Sequence, residues 1–567
     1  MLQKASEQIP SEMRQCPGLS CSLPVSQKAI NKEHISMMTI SYKTIKRILL
    51  IFTAVPVMIF FIGWLTPAAA IPAAILLGAA VFFSFKGTRE EDGKYKCLHI
   101  SRKQLVILSV IALIWCVMGG QGGIFMQTFD HHSRNIIMTD LTLKDWPCVY
   151  SEGRYMLVYY ILTWMLPALL GKGVYLLCGN TTAAMAVCNI SLIIQSTALV
   201  TVTFLLVAML TQTKGKAHPV KAAFLFMFFS GLDIVGTLIF NPYLMLIQFH
   251  IEWWDYQYAS MATGLYYIYN QTLFLWPLVL CLINERSCRD FALLGLLCFA
   301  HSPIAFVGVL AMCLMKAVCI YTDRAKEGQL KGAVRSTFTF QNIAAVVSIA
   351  PVFLMYYTAN AMVSGSAGDT EGQRTALRIA DELYDPVIAG DAKGIADFFI
   401  LYVFAIVLEF GIYCIFILRG KTDDRRMIIG NAVFLMAVPF FQLGVTDDLS
   451  RAALPGLLFI CVLVIRYILE RLPEKGTVKS LDTFVRKHTA LFLMLMCFAL
   501  GSATPITIVF RQTFYTIRGP LPPGKYDKNS DRYYYSKIDD YSFEGGRESN
   551  FLSEYQGSAY YKYLSRK

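Results

Sequence analysis

Charge is scarce in this sequence. Asp, Glu, Lys and Arg make up only 16% of its 567 residues, whereas 55% are hydrophobic and the mean hydropathy is +0.49. Soluble domains carry about 25% charged residues, so a soluble enzyme, a nucleic-acid-binding module and a disordered scaffold are excluded. P-loop, GxSxG and HExxH motifs are all missing, as is any internal repeat. ATP-driven transport and soluble-type hydrolysis therefore lose their usual sequence support. The first 44 residues lack an apolar core with a small-residue cleavage site, and they read as a cytosolic tail rather than a secretory signal. Most of the 15 cysteines sit inside apolar runs, where Cys packs as a small hydrophobe. Only Cys148 and Cys178 fall in a loop read as external, where one disulfide is conceivable.

What the chain has is apolar runs. A helix rising about 1.5 Å per residue needs roughly 17 to 25 apolar residues to cross the hydrocarbon layer. Runs of that kind near 45–66, 68–84, 104–119, 183–210, 221–240, 261–283, 342–357, 398–418, 427–443, 452–468 and 489–510 read as spans. Two shorter ones between Phe291 and Tyr321 are split at His301-Ser302-Pro303. The expectation is an all-α polytopic transmembrane helical bundle of about 13 spans. It divides into a tail (1–44), two extra N-terminal spans with a basic loop (45–103), a core (104–510) with an outer loop at 119–180, and a Tyr-rich external tail (511–567).

The net charge of +12 reports topology. Of the 51 Lys and Arg, 33 fall in the N-terminal tail and alternate loops; ten of the remaining 18 belong to the tail from 511. The short loops of the second set are thus depleted, which places the N-terminus in the cytosol and the C-terminus outside. Tyr155 to Leu177 carries Pro167 and the break Gly171-Lys172-Gly173, and counting it as a crossing would invert every later loop. It reads as helices lying in the outer interface, with Tyr155, Tyr159, Tyr160 and Trp164 at headgroup level.

The outer loop opens with GGQGGIFMQTFDHHSRNIIMTDLTLKDWP. Asp130, His131 and His132 lie within about a turn of the membrane surface, where a carboxylate must be paired or put to use. Asp130 reads equally as a general base or metal ligand and as the partner of Arg134 at i,i+4. Adjacent histidines on a helix diverge by about 100°, which argues against a zinc site. Asp140, Asp145 and Arg154 read as solvated. Loop 241–260 has no Lys or Arg and sets His250, Glu252 and Asp255 among Trp253, Trp254 and Tyr256. Such a mixture suits a sugar, or an interfacial aromatic belt. His301 falls at the outer tip of the split pair, where a break is tolerated if it lines a cavity. Arg451 is the lone cation of an outer loop.

In the order of span, outer acidic loop, interfacial helices, long span and split pair, the chain resembles the GT-C superfamily of integral membrane glycosyltransferases. The strings DHHSRNIIMTDL, DWP, YYIYNQ, HSP, DDLSRAALP and KYL are similar to those of bacterial GT-C-like polytopic proteins without assigned substrates. The resemblance runs from about Gln104 to the C-terminus. It implies a bacterial plasma-membrane enzyme that takes a sugar from a polyprenyl-phosphate donor and gives it to an envelope glycan or protein, with membrane lipid as a partner and no nucleic acid. Asp130 becomes the candidate base and His131 its neighbour in catalysis; His132, Arg134, Lys172, His250, Glu252, His301 and Arg451 become substrate-binding candidates. Many members show two adjacent acids where this chain has Asp-His-His, which leaves a divalent cation an open question. The rival readings are a transporter or flippase, with Asp233 and Glu409 as intramembrane acids, and an envelope scaffold resting on the tail DRYYYSKIDDYSFEGG.

Overall fold

Two extended segments start the bundle. In the computed structural model, strand Met37–Ser41 pairs antiparallel with Cys97–Ser101. Each strand ends on a serine that caps a helix. Ser41 Oγ accepts from Thr44 N–H at 3.1 Å, and Ser101 forms a capping box with Gln104. Such caps fill the donors left open at a helix start, and they launch helices Tyr42–Trp64 and Arg102–Met118 from one small sheet. The structure describes residues 37–87, 93–150, 153–213, 215–240, 242, 251, 258–359, 377–420, 422–443, 448–473, 480–518, 551–554 and 556–566.

The protein is an all-α polytopic helical protein. Among the described residues eight helices are long and apolar enough to cross a membrane, Tyr42–Trp64, Pro67–Gly87 and Thr181–Leu210 among them. Other apolar runs are divided. The run at 221–240 becomes Pro219–Met227 and Asp233–Phe240, and that at 261–283 becomes Met261–Tyr266 and Tyr269–Asn284. No described strand exceeds five residues.

Charge marks one end of the bundle. There Lys46 meets Glu285 at 2.6 Å and Asp290 at 2.5 Å, all three buried. Lys94 and Arg466 both grip Asp424, at 2.9 and 2.8 Å. The other end carries loop 119–180, whose strands Val149–Tyr150 and Tyr155–Leu157 gain a third from Leu552–Glu554. Residues 551–566 pack there as well. Val158 N–H donates to Phe551 O, Arg566 N–H to Trp64 O, and Thr66 N–H to Leu564 O.

Three expectations are corrected. Residues 155–177 do not form the several helices expected of them. Leu162–Cys178 is one helix that turns at Gly179, φ +65°, and runs antiparallel along the first half of Thr181–Leu210. Pro167 cannot donate to the Thr163 carbonyl four residues back, but Gln195 Nε2 supplies that bond at 2.8 Å from the neighbouring helix. Close approach is possible because residue 171 is glycine: a Cβ there would lie 2.2 Å from Cys188 Sγ. Nor is His301 at an outer tip. It ends the 11-residue helix Phe291–His301, which rises only about 16 Å from the charged end. The Cys148–Cys178 disulfide does not form, since Cys148 is buried against Asp140 O and Cys178 is exposed at the end of its helix.

Candidate functional site

Helix Phe129–Leu143 organises the outer loop. The glycine-rich turn before it needs positive φ at Gly120 (+90°) and Gly122 (+78°), and a Cβ on Gly122 would reach 2.4 Å from Ile193. Gln127 Nε2 donates to Gly120 O at 2.8 Å, and Asn135 Nδ2 to Gln127 Oε1 at 2.7 Å, tying turn to helix. Thr128 precedes the helix in extended conformation and hydrogen-bonds His131 Nδ1 at 2.9 Å.

Asp130 is exposed in the first turn, where the helix N-terminus favours a carboxylate. Arg134, one turn on, is buried at 6% exposure with its guanidinium 5.3 Å from the Tyr269 ring centroid. The two form no ion pair, so the i,i+4 reading of Asp130 as the structural partner of Arg134 is corrected. The aromatic face of Tyr269 draws the guanidinium inward instead. Arg134 Nη1 has no hydrogen-bond partner among the described residues. His131 is buried and stacks on the same ring at 5.5 Å, in room left by Gly120.

Tyr269 is held in turn. Its hydroxyl accepts from Trp164 Nε1 at 3.0 Å, Trp164 stacks with Tyr159 at 6.4 Å, and Tyr159 abuts Tyr160 at 3.8 Å. Arg451 Nη1 donates to Tyr160 Oη at 3.1 Å. A row of aromatic rings therefore runs between Arg134 and Arg451. In the stretch that carries Tyr269, Tyr266 Oη and both amide atoms of Asn270 are buried without partners among the described residues, as is Oε1 of Gln121, whose Nε2 donates to Leu265 O at 2.9 Å. Buried polar atoms are almost always satisfied in folded proteins, so such a group fits a place that water or a polar ligand fills.

The structure sets Asp130, His131 and Arg134 on one helix, connects Arg451 to them only through the row of rings, and leaves other candidates apart. Lys172 donates to the Lys144 carbonyl and lies 5.3 Å from the Trp146 ring, capping the far end of helix Phe129–Leu143. His301 is buried against Phe274 at 3.9 Å, its Nε2 3.0 Å from Thr53 O, and it lines no outer site. His250, Glu252 and the His132 side chain lie outside the described residues. Asp140, expected to be solvated, is fully buried and accepts from Tyr150 Oη at 2.9 Å. No group of three His, Cys, Asp or Glu able to hold a metal occurs among the described residues.

Tyr269 and Asn270 lie in the string YYIYNQ and Gln121 in GGQGG, both noted in the sequence, but neither string pointed to a role for these three residues. His131 and Arg134 did: with Met138 and Leu141 they are spaced 3, 4 and 3 residues apart, the pattern of one helix face. No protein-family model, no curated protein and no solved structure matches the chain.

Proposed function

We propose that the protein is a GT-C-type glycosyltransferase, moving a sugar from a polyprenyl-phosphate donor to an envelope glycan or protein. The observation that supports this reading most is the division along helix Phe129–Leu143: Asp130 stands exposed, and one turn on Arg134 is fixed over Tyr269 with Nη1 unengaged. Leaving a lipid phosphate behind calls for a base on the acceptor hydroxyl and a cation on the departing phosphate. The acceptor oxygen bonds the sugar's anomeric carbon as its proton passes to Asp130. The carbon–oxygen bond to the phosphate breaks, and its electron pair stays on phosphate oxygen. A guanidinium suits that charge because it is always protonated and can bind two oxygens at once. A multi-pass position in a bacterial plasma membrane, N-terminus in the cytosol, belongs to the same proposal and rests on the Lys and Arg distribution.

The test is turnover of a polyprenyl-phosphate sugar by the purified chain in nanodiscs. Asp130→Asn is expected to lose about two to four orders of magnitude with its melting temperature unchanged. Equal product from wild type and Asp130→Asn rejects the assignment.

A transporter or flippase is the second reading, and one observation favours it. The buried carboxylates Asp233 and Glu409 adjoin three helix irregularities: the break at 228–232, the π-turn Val407–Gly411 and the restart of helix Thr489–Gly501 at Ala503. Leu232 N–H donates to Leu408 O at 3.0 Å, and Thr504 Oγ1 to Asp233 at 3.0 Å. Intramembrane acids and π-turns both recur at functional sites. In cells scored for envelope glycan, loss with Arg134→Ala alone supports the transferase, whereas loss confined to Glu409→Gln supports transport.

A further inference from the structure

The charged end of the bundle holds a cavity of about 490 Å³, within the range of small-ligand sites. Its inner wall is apolar, formed by Leu210, Ile320, Phe459, Val462 and Leu463. Its mouth is ionic, and the charges there can be accounted for one by one. Asp424 is taken by Lys94 and Arg466, both oxygens of Asp323 by Arg426 Nη2 at 2.6 Å, and Glu327 by Arg324 at 2.8 Å. Glu285 is taken from outside the cavity by Lys46. Among the described residues two lining cations have no carboxylate partner, Lys316 and Arg286, against one such acid, the exposed Asp423.

Lys316 is the more telling of the two. Its ammonium donates to the carbonyls of Leu282, at 2.6 Å, and Ile283, which fixes it at the end of helix Tyr269–Asn284. An ammonium has three N–H groups, so one is left over. Arg286, exposed at the mouth, reaches only the Lys94 carbonyl among the described residues, at 3.5 Å. Two cations with donors to spare, set above an apolar wall at the level where helices end, match a ligand with a phosphate at one end and hydrocarbon at the other. We propose that this cavity binds a phosphate-bearing amphiphile, its phosphate on Lys316 and Arg286 and its chain along Ile320 and Phe459. The source that fits best is an anionic phospholipid of the leaflet on this side, since basic pockets between membrane helices recruit such headgroups. This site lies at the end opposite Asp130 and is independent of the transferase reading.

The experiment uses the full chain in detergent, equilibrated with equal amounts of phosphatidylglycerol and phosphatidylcholine, with retained lipid read by native mass spectrometry. Wild type is expected to retain phosphatidylglycerol in clear preference. Lys316→Gln, which keeps a donor for the two carbonyls, and Arg286→Gln are each expected to lower that preference about fivefold, at roughly the energy of one cation near an anionic surface. Ile320→Trp fills the cavity without touching a charge and is expected to abolish retention. Melting in detergent alone identifies which variants are folded; should Lys316→Gln fail there, Arg286→Gln and Ile320→Trp carry the test. Equal retention of both lipids by wild type, or undiminished phosphatidylglycerol in the folded variants, overturns the proposal. Displacement of phosphatidylglycerol by millimolar inorganic phosphate overturns the lipid source and leaves a soluble phosphate ester as the occupant.

Discussion

A buried charge is tolerable only in company, and Lys46 shows how far along a chain that company can lie. Its partners Glu285 and Asp290 are 239 and 244 residues away, so nothing in the local sequence announced the triad. Lys46→Met leaves two buried carboxylates facing each other and is expected to destabilise the fold by roughly 3–5 kcal/mol, visible as a large fall in melting temperature. Asp424 offers a gentler case with a definite pH sign. Burial pushes its carboxyl up, but Lys94 and Arg466 outweigh burial and hold it below the usual carboxylate range. A group depressed in the fold stabilises above its unfolded pKa, near 4, and loses that contribution as pH falls through the lower folded value. Melting curves of wild type are therefore expected to weaken further below pH 4 than those of Asp424→Asn, while near pH 7 the variant is less stable by about 1 kcal/mol, since the pairs are partly exposed. Coincident curves for the two at all pH values would remove Asp424 from the account. The face shared by His131, Arg134, Met138 and Leu141 was legible from spacing; what that face meets, Tyr269, was not, because the partner comes from a helix more than 100 residues on.

At the scale of elements, most apolar runs became helices close to where hydropathy put them, because a membrane-length apolar stretch has few other ways to satisfy its backbone. The misreading of Leu162–Cys178 has a physical cause. Pro167 and Gly171 look like breakers when the helix is read alone, yet each is a docking feature once Thr181–Leu210 lies alongside: Gln195 fills the bond that Pro167 cannot make, and Cys188 fits against Gly171. Gln195→Leu keeps the size of the side chain and leaves the Thr163 carbonyl buried without a donor. The expected cost is about 1–3 kcal/mol, read by thermal melting, and a melting temperature equal to wild type would show that the proline is accommodated some other way.

For the molecule as a whole, the Lys and Arg distribution and the helix pattern could be read from sequence, while the contacts of Arg134 with Tyr269 and of Arg451 with Tyr160 could not, since they depend on how separate helices pack. Side assignment is open to a direct measurement. On intact cells a membrane-impermeant maleimide is expected to label exposed Cys178, whereas a cysteine placed by Asp423→Cys is expected to react only after lysis. The reverse pattern would invert the topology. One feature of the outer end also bears on how the protein is made. Strand Leu552–Glu554 completes the sheet begun at Val149, and residues 564 and 566 bond the turn after Trp64. Ribosomes deliver those partners some 400 to 500 residues apart, so every intervening helix must be inserted before the first outer turn acquires its closing strand. Nascent chains halted short of residue 551 should therefore be protease-sensitive around Trp64 and Tyr150, and this surface should become resistant late, in a single step, once residue 566 has emerged.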